Sequence, residues 1–372
     1  MSGELIARVP ADHAYAEARR QLTVCNACRY CEGYCPVFPA MTHHRTFSDE
    51  TLTYMANLCH QCTACYHACQ YKPPHALAIN LPPALNAVRH ATYTEFVWPR
   101  GCAPLFMHPA RLTAVCVALF TALLAAALAI TAPSGTLVNA HTGPGAFYAV
   151  LPHAAMAGLA GALVLAGLIC VIASATRYAR GCGIRGSHLT QARHWRRALR
   201  AVATLEHLNG GQGQGCPDQD DRHRHARRYC HQATLWGFVL CAAATATATV
   251  YELWLGQLSP FAYSSPPVVL GTLGGVALSV GCSGLLWLKR RRHPKAFSSH
   301  QDALNTTLSV QLLVIALSGL ALLAARETAA MPALLVLHLG WVYGFFVTLP
   351  FGKMMHAVYR TLALLRAAAA DS

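Results

Sequence analysis

An all-α membrane protein, with a small helical domain ahead of a six-helix transmembrane bundle, is the fold class the sequence predicts. Three observations carry it: two cysteine-rich repeats before residue 70, six long charge-poor apolar stretches from Leu112 onward, and basic segments confined to alternate connections between those stretches. The composition agrees, since 54% of the 372 residues are hydrophobic and only 12% are charged. That balance is too apolar for a soluble chain of this size. The net charge of +14 invites a nucleic-acid reading. Its concentration between apolar runs makes it a signal of membrane topology instead.

Residues 1–105 form the predicted first domain. Cys25, Cys28, Cys31 and Cys35 precede Pro36 in a C-x2-C-x2-C-x3-C-P run, and the spacing returns at Cys59, Cys62, Cys65 and Cys69. Three thiolates at this spacing lie on one short wrapped loop that can hold three irons of a cubane, while the fourth ligates the other cluster. The predicted metal ligands are therefore Cys25, Cys28, Cys31 and Cys69 for one [4Fe–4S] cluster, and Cys59, Cys62, Cys65 and Cys35 for a second. A pair of zinc sites is the bland alternative, but four ligands per zinc would leave the middle cysteine of each triplet idle. Gln70 stands where the first repeat has Pro36, a departure that removes no ligand. With no apolar signal-peptide core at the N-terminus, these thiols are expected in a reducing compartment.

Ser48-Asp49-Glu50 opens an apolar-periodic stretch through Leu52, Met55 and Leu58, which reads as a capped short helix. Tyr15 to Leu22 reads likewise, favouring an α-helical ferredoxin-type domain over a β-rich one. His43, His44, His60 and His67 lie near the cysteines, and with eight thiols available they read as supporting or surface groups.

Residues 106–372 form the predicted membrane domain, with spans at about 112–131, 147–175, 231–254, 266–288, 303–325 and 333–359. Each reaches the roughly 20 residues needed to cross a core ~30 Å thick. Arg177 to Arg228 contains eleven arginines and Lys289 to Lys295 five lysines and arginines, whereas 132–146 and 255–265 contain none. The positive-inside rule places both termini and both basic segments in the cytoplasm. Trp98, Tyr148, Tyr251, Trp254 and Trp341 suit interfacial belts.

Four of the twenty histidines fall within or at the edge of the spans: His153, His231, His338 and His356. A polar ring in hydrocarbon is by default functional. On one continuous last helix, 18 residues return His338 and His356 to the same face about 27 Å apart, so each would serve one leaflet. Depth then predicts axial pairs for haem b, one or two groups: His231 with His356 on the inner side, His153 with His338 on the outer. The alternatives are an interfacial role for His231 and a carbonyl partner for His153 beside Pro152. Glu252 reads as a quinone or proton group, or as an interfacial carboxylate.

The cytoplasmic loop 176–230 contains Gly210-Gly211-Gln212-Gly213-Gln214-Gly215-Cys216-Pro217, free enough to form an anion nest, to approach a partner or to act as a linker. No Gly-Lys-Ser/Thr follows it and no GxGxxG opens a βαβ unit, so a nucleotide or flavin site is not expected in the chain.

With these cysteine repeats, the Arg-rich Gly loop, and the run from Leu270-Gly271-Thr272-Leu273-Gly274-Gly275 to Gly284-Leu285-Leu286-Trp287-Leu288-Lys289, the chain resembles the tricarballylate-utilisation (citrate-utilisation) protein B family over nearly its whole length. Leu337-His338-Leu339 and Leu349-Pro350-Phe351-Gly352-Lys353-Met354-Met355-His356 are similar to the haem-bearing helix of the nitrate reductase gamma subunit. That subunit has a second histidine ten residues from the first on a partner helix, whereas Cys241 stands ten beyond His231 here, so His153 would have to supply the missing ligand. The resemblance implies a bacterial cytoplasmic-membrane electron carrier, the electron-transfer subunit of a flavoprotein:quinone oxidoreductase. It would reoxidise the reduced flavin of a separate FAD-dependent dehydrogenase and pass electrons to a membrane quinone. Other expectations are a redox component of a cobalamin-type cofactor-biosynthesis oxygenase, or a membrane redox sensor.

Overall fold

The computed structural model describes residues 11–133, 135–217, 222–296 and 299–370. The part of the 176–230 loop at 218–221 lies outside them.

The N-terminal domain is built from five helices, α1 (Ala11–Cys28), α2 (Val37–Thr42), α3 (Asp49–Leu58), α4 (Ala64–His67) and α5 (Leu81–Phe96). The start of α3 is set where the sequence places it, because Ser48 is extended and its Oγ accepts from the Thr51 N–H at 3.2 Å, capping an orphan donor. Helices α1, α3 and α5 pack around Leu22, Met41, Leu52, Met55, Leu85 and Val88, all 1% exposed or less.

Among the described residues, six helices are long and apolar enough to cross a membrane. The first two are α6 (Pro109–Thr131) and, after a short α7 (Ala146–Val150), α8 (His153–Gly181). A connection containing α9 (Gly186–Thr190) and α10 (Ala192–Thr204) leads to α11 (Ala226–Leu253) and α12 (Pro266–Lys289). The last two are α13 (Ser299–Ala324) and α14 (Met331–Thr348), the latter continued by a short 3-10 turn to Phe351. The chain ends in α15 (Met355–Ala370). The outer faces of these spans are apolar: Leu119, Leu123 and Ile130 of α6 and Leu165, Leu168 and Ile172 of α8 are exposed. An apolar surface of that extent on helices of this length suits lipid rather than water, so the chain is read as a multi-pass membrane protein. Among the described residues the only sheet is two residues by two, β1 (Cys216–Pro217) against β2 (His223–Arg224), so the mostly helical expectation stands.

Two sequence expectations about the spans are corrected. The last span does not run from 333 to 359: α14 ends at Thr348, Leu349–Phe351 form the 3-10 turn, and Gly352 is extended at φ −140°, ψ −166°. Pro350 removes a backbone donor and Gly352 lets the chain leave the helix, so His356 begins a separate helix and the five-turn relation to His338 does not hold. The second span does not begin at 147 either. Pro152 separates α7 from α8, and His153 is the first residue of α8 rather than one to two turns inside it.

Helices α11 and α12 cross closely at small residues. A Cβ on Gly281 would lie 2.6 Å from the Thr234 nitrogen and 2.7 Å from the Cys230 carbonyl oxygen, both backbone atoms that cannot rotate away. Small residues at such crossings let helix backbones approach in lipid. Gly281→Val is therefore expected to force the pair apart and destabilise the fold by about 1–3 kcal/mol, read as a lower thermal midpoint of the detergent-purified protein; an unchanged midpoint would show the crossing to be compliant.

The N-terminal domain is not closed on itself. One apolar core contains Leu22, Leu52 and Val88 together with Tyr178 and Cys182 of the α8 end, Ala198 and Ala201 of α10, and Tyr359, Leu364 and Leu365 of α15. Arg177 donates to the Phe96 carbonyl at 3.2 Å, Arg227 to the Gln61 carbonyl at 3.2 Å, and Asn80 to the Lys295 carbonyl at 2.7 Å. Both basic segments thus lie at the end of the bundle that carries the N-terminal domain.

Candidate functional site

The two cysteine repeats wrap by the same backbone device. Cys25 and Cys28 end α1, and Arg29 then takes a left-handed conformation, φ 54°. In the second repeat Cys59 caps α3, and Thr63, again four residues after the first cysteine, is left-handed at φ 65°. A non-glycine residue held there is strained, and such strain clusters at binding loops, where the turn folds three thiols back toward one point.

The thiols fall into two groups that exchange their fourth members. Burial, and after it the neighbouring thiols of Cys69, Cys31 and Cys28, push the Cys25 thiol up to about 12. Cys31 is raised to about 12 by burial, then by Cys69 and Cys28. Cys35 is raised well above its usual value by burial, then by Cys62 and Cys59. Cys65 is raised by burial, then chiefly by Cys62, Cys35 and Cys59. So Cys69 sits with the first triplet and Cys35 with the second.

Cys25, Cys28, Cys31 and Cys69 line a cavity of about 190 Å³ with Tyr30 and Ile79. Cys65 touches the same wall, which places the two groups back to back. Two sets of four thiols match the eight ligands that a pair of cubane clusters takes, whereas a zinc site uses four and would leave the middle cysteine of each triplet idle. Buried thiols crowded in this way ionise only beside compensating positive charge, which bound iron provides. The donor set fits [4Fe–4S] clusters.

His60 is buried with Nδ1 2.8 Å from the Leu58 carbonyl and its ring edge-on to His207, centres 5.3 Å apart. His67 packs edge-on against Tyr66 and His293. His44 offers its carbonyl to Asn26, and His43 borders a separate cleft beside Cys35.

The structure brings His231 and His356 together, ring centres 6.3 Å apart at 60°. Two imidazoles binding one metal from opposite sides, at metal–nitrogen distances of about 2.0 Å and with about 1.1 Å from nitrogen to ring centre, have centres about 6.2 Å apart. Nδ1 of His356 lies 2.5 Å from the Lys353 carbonyl oxygen, which places its proton there and leaves Nε2 unprotonated. Nδ1 of His231 is buried and has no hydrogen-bond partner among the described residues. Both rings line a cavity with Leu235, Phe238 and Leu312. The pair fits a haem iron.

His153 and His338 are not in ring contact. His153 Nε2 is 3.1 Å from Glu252 Oε2 and its ring lies edge-on to Tyr148, centres 5.0 Å apart. His338 Nδ1 is 2.9 Å from Ser318 Oγ. Glu252, left open between a redox group and an interfacial carboxylate, also accepts from Ser259 Oγ at 2.7 Å and from the Tyr148 hydroxyl. Tyr148 thus has a polar partner beyond a belt role.

The glycine-rich loop folds against the first cysteine repeat. A Cβ on Gly211 would meet the Tyr34 ring at 2.8 Å, and Gly215, at φ 100°, allows the chain to pass against the Arg224 backbone. The segment ends at Cys216, buried in an apolar cluster with Cys62 and Leu208.

Sequence reasoning missed three residues. Arg89 is 2% exposed and donates to the carbonyls of Ala56, at 2.8 Å from Nε, and of Cys59. Arg360 donates to the same Cys59 carbonyl at 2.8 Å. Both, with Lys353, line the cavity of His231 and His356. An arginine inside the apolar run of α5 was the available signal for the first.

The family model described as citrate utilization protein B matches residues 107–372, and the one described as citrate utilization protein B Fer4-like domain matches residues 18–95. A curated relative named citrate utilization protein B, from Escherichia coli, is 41% identical over 354 residues, covering 94% of this chain and 91% of the relative. No solved structure matches the chain.

Proposed function

Because the chain belongs to the citrate utilization protein B family, we propose that it takes electrons from the reduced flavin of a partner dehydrogenase of the citrate or tricarballylate type and delivers them to a membrane quinone. Its place is the bacterial cytoplasmic membrane, with the cysteine-rich domain and both termini on the cytoplasmic side, as the basic connections favour. Cys25, Cys28, Cys31 and Cys69 would hold one [4Fe–4S] cluster, Cys35, Cys59, Cys62 and Cys65 a second, and His231 and His356 haem b. When bound, these groups supply one-electron chemistry at tuned potentials.

The observation that carries the reading is a shared wall. Cys59 belongs to the second thiol group, and its carbonyl takes the Arg360 donor that lines the imidazole cavity. The next residue, His60, lines that cavity directly. The chain's own work is to hold the two sites one residue apart, keep water from the thiols with Phe38, Ile79 and Leu81, and fix the His356 ring through the Lys353 carbonyl. No comparable ring pair is built by His153 and His338, so a second haem is not part of the proposal.

The test is direct. Full-length protein purified without air, mixed with the dehydrogenase reduced at its flavin and a soluble quinone analogue, is expected to reduce the quinone, while omission of the protein stops the reaction. Equal quinone reduction with and without it, or none in either case, overturns the proposal.

A further inference from the structure

The cavity of His231 and His356 carries charge of one sign. Among the described residues, six arginines and lysines line it and no aspartate or glutamate does. On one side the charge is answered: Arg292 pairs with Asp302 at 2.7 Å, and Lys289 donates to Thr306. On the side of His356 it is not. Among the described residues, Arg89, Lys353 and Arg360 pair with no carboxylate. Arg89 and Arg360 direct Nε and Nη2 at backbone carbonyls of Ala56, Asn57 and Cys59, which leaves Nη1 of each, and among the described residues no hydrogen bond is made by Lys353 Nζ. A guanidinium has five N–H donors and an ammonium three, so donors remain for a ligand.

Two guanidiniums, which stay protonated, placed beside Lys353 with no carboxylate among the described residues are costly in a low dielectric, and an anion completes such a group. Backbone carbonyls hold the two guanidiniums in place before any ligand arrives, so their remaining donors are pre-organised. We infer that Arg89, Lys353 and Arg360 form a carboxylate-binding clamp, and that its ligand is the pair of propionates on the haem whose iron His231 and His356 hold. This inference rests on the haem assignment made above. The clamp would also tie its ligand's carboxylates to the cysteine-rich domain, because the same guanidiniums donate to the Cys59 carbonyl.

The experiment compares two probes on the haem-free full-length protein in neutral detergent: haemin, and haemin dimethyl ester, in which both carboxylates are masked. Soret titration is expected to give at least about tenfold tighter binding of haemin. Lys353→Met should reduce that preference to less than about threefold while cluster iron and sulfide stay unchanged, and Lys353→Arg should retain it. Equal affinity of the two probes for the wild-type protein overturns the clamp and leaves the haem assignment standing. Binding of neither probe overturns both. If phosphatidylglycerol raises the thermal midpoint of the wild type but not of Lys353→Met, and the two probes bind alike, the anion is a lipid phosphate and the propionate assignment is wrong.

Discussion

His356→Ala is expected to remove b-type absorbance from the purified protein, lowering haem per chain at least about tenfold, while cluster iron and sulfide are retained. The argument is geometric. The 6.3 Å separation of the His231 and His356 ring centres is what an iron shared between two imidazoles requires, and the Lys353 carbonyl already orients the His356 ring. Deleting one ring would leave one imidazole to hold the group where the cavity presents two. His231→Ala is expected to match it. His338→Ala should leave this absorbance in place, because that ring is committed to Ser318. A pyridine haemochrome assay on the three variants decides the matter, and unchanged haem in His356→Ala would show the pair to be misassigned.

Cys35→Ala should have an effect nearly as large, and of a less obvious kind. Cys35 lies ten residues after Cys25 in sequence, yet its thiol neighbours are Cys62 and Cys59. Its loss is therefore expected to remove the cluster of the second repeat, taking non-haem iron from about eight to about four per chain. The reduced-state EPR of Cys35→Ala should match that of Cys59→Ala, and Cys69→Ala should match Cys25→Ala. If Cys35→Ala instead resembled Cys25→Ala, each repeat would be holding its own cluster and the crossed arrangement would be wrong.

What could be read from the sequence follows from how local each feature is. The cysteine spacing is local, and the turn that gathers the thiols is set by residues inside each repeat, Arg29 and Thr63. The spans were legible because length and hydropathy are summed over twenty or so residues. The span ends were not, because single residues decide them: Pro152 separates α7 from α8, and Pro350 with Gly352 separates His356 from the helix of His338. Depth suggested His231 and His356 as neighbours, and their ring centres lie 6.3 Å apart although His356 begins a separate helix. His153 could not, because its partner is Glu252, 99 residues away in sequence. Arg360 was invisible for the same reason: it reaches Cys59 across 301 residues, and no pattern in either segment announces the other.

That reach has a consequence for biogenesis. The apolar core begun by Leu22, Leu52 and Val88 is completed by Tyr359, Leu364 and Leu365 at the far end of the chain. Segments leave the ribosome in order, and contacts of such long range form late. The cysteine-rich segment is thus made before the α15 residues that close its core, and its packing is complete only once α15 has docked.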